Sequence, residues 1–231
     1  MPSRDTKAAR RAKVAAFREA EQRASRRRRR VLVAIAAAAA VAVAGAGTLA
    51  VRSAIAANEP GPLPTPPPAS GTALPPWALP TSPSAAIAAA GLVASTTEGS
   101  GAHFHPHLDV LVNGKAVPVA ADIGIDQTAG VMSELHTHDT TGLIHVESAS
   151  KNTRYVLGQL FTEWGVRLDR THLGGLTAGD GKTLSVYVDG KRVKGNPAQV
   201  ELSSRREIAL VFGPSGQKVK VPSSYSFPAG T

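Results

Sequence analysis

Six of the chain's seven histidines lie between His103 and His145, and their spacing is what could do chemistry. His103, His105 and His107 alternate with Phe104, Pro106 and Leu108, and Val110 and Val112 continue the apolar set. In an extended strand this period of two puts the apolar residues on a core face and the three histidines with Asp109 on the other. His136 and His138 repeat the His-x-His spacing and are followed by Asp139, while His145 alternates with Ile144 and Val146 and shares a face with Glu147.

Imidazole is the commonest side-chain ligand for Zn, Cu, Ni and Fe. A strand carrying His-x-His aims two rings to one side, with Cα atoms about 6.5–7 Å apart by strand rise. Two such pairs on neighbouring strands would surround one ion. The expected ligand set is therefore His105, His107, His136, His138 and His145, with Asp139 and Glu147 as direct ligands or as partners orienting an imidazole. His103, next to a Pro-rich stretch, is left outside the set. A histidine-based site indicates Zn²⁺ or Cu²⁺.

Two other readings stay open. Imidazoles in this pattern also bond loop backbone, form pH-sensitive patches or contact a protein partner, which would make a metal-free envelope interaction module. A metal-dependent hydrolase would need an open coordination position and a carboxylate such as Glu134, Asp139 or Glu147 beside it. No catalytic residue is assigned: there is no HExxH helix and no GxSxG elbow. The stretch from Gly174 to Thr183 has Leu176 where a phosphate-binding loop needs glycine.

The absence of cysteine excludes thiol redox chemistry, Cys-ligated zinc and iron–sulfur clusters for this chain alone. The net charge of +9 suggests a nucleic-acid partner until it is located. Residues 1–51 carry 12 Lys/Arg against three acidic residues, whereas residues 52–231 carry 14 of each sign. The excess sits entirely in the N-terminal tail, so the rest of the chain gives no electrostatic case for nucleic acid.

Val31 to Val51 is 21 residues without a charge, long enough to span about 30 Å of hydrocarbon as a helix. Five arginines, Arg26 to Arg30, precede it and Arg52 alone follows, which puts the N-terminus in the cytoplasm. Ala54-Ile55-Ala56 offers a signal-peptide cleavage site as the alternative, but the basic region and the apolar run are both longer than such peptides use. The expected organisation is a basic cytoplasmic tail (1–30), a transmembrane helix (31–51), an extracytoplasmic Pro/Ala-rich linker (52–101) and a histidine-containing domain (102–231). Localisation is then the cell membrane, crossed once, with the C-terminal domain outside. Prolines between Pro60 and Pro83 predict an extended tether, with a short helix over 84–95 at its end. Trp77 reads equally as an interfacial anchor or an incidental aromatic.

The domain itself reads as α+β. HLDVLVNGKAVPV (107–119) and TLSVYVDGKRVK (183–194) are alternating runs about Asn-Gly and Asp-Gly, strong hairpin signals, and they share an LxVxVxGKxV pattern. Strands are predicted at 143–148 and 207–212. Val156, Leu157, Leu160, Phe161 and Trp164 form one helical stripe, with Thr153 as N-cap and Gly165 as the C-terminal stop. A hairpin, a helix on the sheet and further strands suggest a small β-grasp-like domain, and the residues from Pro214 read as a hairpin or a loose tail.

These segments carry a resemblance. An HxHxxLxVxVNGK opening (around His105 to Lys115), an LHTHDxTGxIHVE centre (Leu135 to Glu147) and a TLGxxFxxWGV helix (Val156 to Val166, with Val156 for the usual Thr) resemble an uncharacterised actinobacterial family of membrane-anchored or secreted proteins. The resemblance spans about residues 102–212. It implies a shared fold and brings no activity with it.

Overall fold

Two turns of the same chemistry frame the domain. Asn113 and Gly114 have φ of 52° and 79°, and Asp189 and Gly190 have φ of 50° and 75°. Left-handed backbone at both central positions matches the twist of the flanking strands, so each turn closes a two-residue hairpin. Val112 then pairs with Lys115, and Val188 with Lys191.

The structure is a computed structural model that describes residues 60–231, together with Arg23 and Arg26, which are helical. The rest of the predicted basic tail, the crossing expected over 31–51 and residues 52–59 lie outside the described residues. Among the described residues no helix is long and apolar enough to cross a membrane.

Pro60–Thr231 forms one unit, mainly β with few helices. The principal elements are α1 (Pro83–Ala89), β1 (Ala102–Phe104), β2 (His107–Val112), β3 (Lys115–Val117), β4 (Leu135–His136), β5 (His145–Ser148), α2 (Leu157–Trp164), β6 (Lys182–Val188), β7 (Lys191–Val193) and β8 (Glu207–Pro214). The main sheet has the order β7-β6-β8-β2-β3. All its neighbours are antiparallel except β8 and β2, which run parallel from Glu207↔His107 to Phe212↔Val112. The last strand in sequence is thus the middle strand in space, and Ile208, Ala209 and Leu210 are all buried as expected for a strand covered on both faces. A second, smaller sheet has the antiparallel order β1-β5-β4.

Helix α2 supplies the core its aromatic stripe, with Leu157, Leu160, Phe161 and Trp164 at most 1% exposed. Gly165 ends it in the left-handed region at φ 72°, and the Val166 N–H donates to the Phe161 carbonyl at 2.9 Å. The start differs from expectation. Thr153 is not the cap, because Tyr155 and Val156 are drawn into a short strand pair with Leu202 and Glu201. The helix begins after them, and the Gln159 side chain accepts the Val156 N–H at 3.1 Å.

The linker assigned to 52–101 needs a larger correction, because from Pro60 the chain packs on the domain instead of leaving it. Thr162 Oγ1 donates to the Pro67 carbonyl at 2.9 Å and the Gly175 N–H donates to the Ala73 carbonyl at 2.8 Å. Gly71 lies so close to the end of α2 that a Cβ there would stand 2.0 Å from the Gly165 carbonyl oxygen. Trp77 is neither a lipid anchor nor incidental: it is 5% exposed, stacks edge-on against Trp164 at 5.4 Å and donates its Nε1–H to Ala73 O. Ile87 of α1 is buried in the same core. Prolines remove backbone donors but not the apolar surface that drives this docking.

The chain after Pro214 is neither a hairpin nor loose. Tyr225 stacks on the His107 ring with centroids 3.7 Å apart, and Arg205 sits over the Phe227 ring while bonding the Thr231 carbonyl.

Candidate metal centre

The register of the small sheet sorts its side chains onto two faces. Phe104 pairs with Val146, and Val146 with Leu135, placing three apolar residues on the core side. The alternate pairs are His103 with Glu147 and His136 with His145. Directly opposed residues share a face, so two cross-strand pairs put three imidazoles and a carboxylate on the face away from the core. His105 and His138, each two residues further along the chain and just past the end of its strand, extend the group.

The donor atoms converge. His105 Nε2 lies 3.2 Å from His103 Nε2 and 3.1 Å from His145 Nδ1. Glu147 Oε1 lies 3.4 Å from both His103 Nε2 and His145 Nδ1. With metal–ligand bonds of about 2.0–2.1 Å, the corners of a tetrahedron are about 3.3–3.4 Å apart. Four edges of the set His103, His105, His145 and Glu147, at 3.1–3.4 Å, are therefore close to the lengths that a tetrahedral ion requires. One proton can satisfy only one contact of His105 Nε2 with its two imidazole neighbours, whereas a cation among the three satisfies all.

A second group shares one member with the first. One nitrogen from each of His136, His138 and His145 lies within 4.8 Å of the others. His136 is fully buried, and its Nδ1 faces the Ser133 carbonyl at 2.9 Å. A carbonyl only accepts, so Nδ1 carries the proton and Nε2 holds the lone pair. That lone pair is buried with no hydrogen-bond partner. Fixing one ring nitrogen on a carbonyl is how proteins orient an imidazole for a metal.

Burial favours the neutral form of three of the rings, His105, His136 and His145. Burial, opposed by the Ser133 hydrogen bond and reinforced by His138, His145 and His105, lowers the His136 pKa to about 4. Burial and the neighbouring His145 and His103 lower that of His105 to about 4. His145 is lowered too, by burial and then His138 and His103. Burial and the nearby Glu98 raise the Glu147 pKa. Neutral imidazoles are the ligating form, and a carboxyl poised against ionisation gains most from a cation beside it.

Two expected residues are placed elsewhere. His107 does not join the other histidines: Nδ1 is 2.8 Å from Glu207 Oε2 and Nε2 donates to the Thr141 carbonyl at 2.7 Å. The chain changes sheets at Pro106, between the end of β1 and the start of β2, so period-two alternation does not carry from His105 to His107. Although burial opposes it, the Glu207 contact raises the His107 pKa, and the two form a buried pair between the parallel strands. With Asp109 they make a further acidic–histidine group, but both ring nitrogens are already bonded. Asp139 orients no imidazole by hydrogen bond; its Oδ1 accepts the Thr141 N–H and hydroxyl and holds the turn before Gly142.

Sequence reasoning also missed two members. The Pro-rich neighbourhood of His103 argues against it, yet pairing with Glu147 places it in the group. The Ser133 carbonyl has no signature in sequence, since any residue offers one. Beside the site lies a cavity of about 320 Å³ whose lining includes Glu98, Ser133, Glu134 and Glu147.

The fold and these side chains define an α+β domain whose histidine and acidic groups can hold a metal ion. No protein-family model, curated protein or solved structure matches the chain.

Proposed function

We propose that this protein is a membrane-tethered, extracytoplasmic metal-binding module for Zn²⁺ or Cu²⁺. The observation that carries the reading is the donor spacing of 3.1–3.4 Å among His103, His105, His145 and Glu147. The orphaned lone pair of His136 supports it from the other side of the cluster. The apolar run 31–51 and its arginine flank support anchoring with the N-terminus inside. The order β7-β6-β8-β2-β3 with one parallel central pair supports a β-grasp-like arrangement.

The test is titration of the full-length chain, stripped with chelator, against Zn²⁺ and Cu²⁺ separately. Wild type binds at least one equivalent, and His103→Ala with Glu147→Gln weakens binding by tenfold or more. Negligible binding by wild type, with partner capture insensitive to chelator, would instead favour a metal-free interaction module. A hydrolase is a second reading, favoured by the acidic cavity that meets the centre at Glu147. It requires metal-dependent turnover that Glu134→Gln abolishes.

A further inference from the structure

Five imidazoles and one carboxylate crowd the face of the small sheet, and a tetrahedral ion takes four donors. His103, His105, His145 and Glu147 already fill four corners, leaving His136 and His138 with no corner of that ion to occupy. Yet His136 is the member with the clearest claim on a cation, being fully buried with its Nε2 unpartnered. His145 lies between the two sets because β5 is the central strand, flanked by β1 and β4. Its Nδ1 faces His105 and Glu147. Its ring also lies nearly parallel to that of His136, at 14° and 5.2 Å, and edge-on to that of His138 at 4.6 Å. The two nitrogens of an imidazole point in different directions, so no single ion can use both.

We infer that the centre holds two ions, one with His103, His105 and Glu147 and one with His136 and His138, bridged by the two ring nitrogens of His145. This rests on the metal-binding reading and extends it to a dinuclear site. Bridging requires His145 to lose its ring proton to solvent, and the resulting imidazolate is offset by two dications. Divalent zinc and copper suit these donors, nitrogen-rich with one carboxylate. Each half keeps an exposed member, His103 or His138, through which ions can enter.

The experiment measures metal content and copper paramagnetic resonance of the full-length chain. Wild type should bind two equivalents of Zn²⁺ or Cu²⁺. The dicopper form should lose most of its isolated Cu²⁺ signal through exchange coupling, and a one-copper, one-zinc form should regain it. His103→Gln and His138→Gln, both changes at exposed rings, should each drop to one equivalent while thermal unfolding shows the fold intact. A single equivalent in wild type, weakened by both variants, would overturn the dinuclear site and leave the metal-binding reading standing. Two equivalents without coupling would overturn the bridge. No binding would overturn both.

Discussion

His103 and Glu147 are Cα partners across β1 and β5, and their side chains meet with Nε2 3.4 Å from Oε1. The contact is set by backbone pairing, since opposed residues of antiparallel strands share a face. A slip of one residue would send Glu147 into the core and Val146 into the cluster. Sheet register thus sets the spacing of these donors, which lowers the ordering that binding an ion would require.

Metal should stabilise the fold. An ion that binds the native state at 100 times its dissociation constant adds about 2.7 kcal/mol. The thermal midpoint of the wild-type chain should rise with saturating Zn²⁺ and fall back with chelator. His136→Ala, which takes a ligand from one of the two ions, should remove part of that rise. An unchanged midpoint with Zn²⁺ would count against the site.

The apo chain should lose stability on acidification from about pH 6.5 to about pH 4. His105 and His136 have folded pKa values lowered to about 4, chiefly by burial. Between that value and the ordinary imidazole value the unfolded chain binds protons that the folded chain refuses, so stability falls with pH. Denaturant midpoints across this window, with His136→Gln for comparison, would show a shallower slope in the variant.

Glu163 should act with the opposite sign. It is 1% exposed on α2, and burial pushes its pKa well above the ordinary carboxylate range. The folded state keeps a proton that the unfolded state releases, so stability from this group is lost as pH rises. Glu163→Gln keeps the neutral form and should gain roughly 1–3 kcal/mol at neutral pH and little in acid. Urea denaturation at the two conditions decides it.

Trp77→Ala should cost about 3–5 kcal/mol, the usual penalty for removing a buried aromatic. If residues 60–101 were a free tether, the change would be near zero. The Trp77–Trp164 contact predicts the large value.

What the sequence made legible was local. The Asn113-Gly114 and Asp189-Gly190 turns, the α2 stripe and the Gly165 stop all depend on neighbours within a few residues, and they lie where the pattern placed them. Alternation was also readable at His136 and His145, which lie within single strands. It failed at His107, because Pro106 joins two sheets and alternation has meaning only inside one. It failed for the Pro-rich stretch because composition reports the lack of regular structure, not whether Trp77 and Ile87 have a core to enter. His103 became visible only through the cross-strand register, which no single strand encodes.

β8 carries a consequence for how the domain is made. It lies between β6 and β2, yet it is the last of the main-sheet strands to leave the ribosome. Until it arrives, the two hairpins have nothing to join them, and Glu207 cannot reach His107. Closure must therefore wait for Glu207–Pro214, a long-range step of the kind that slows folding. Chains cut short before residue 207 would carry every proposed ligand and still lack the strand that unites the sheet.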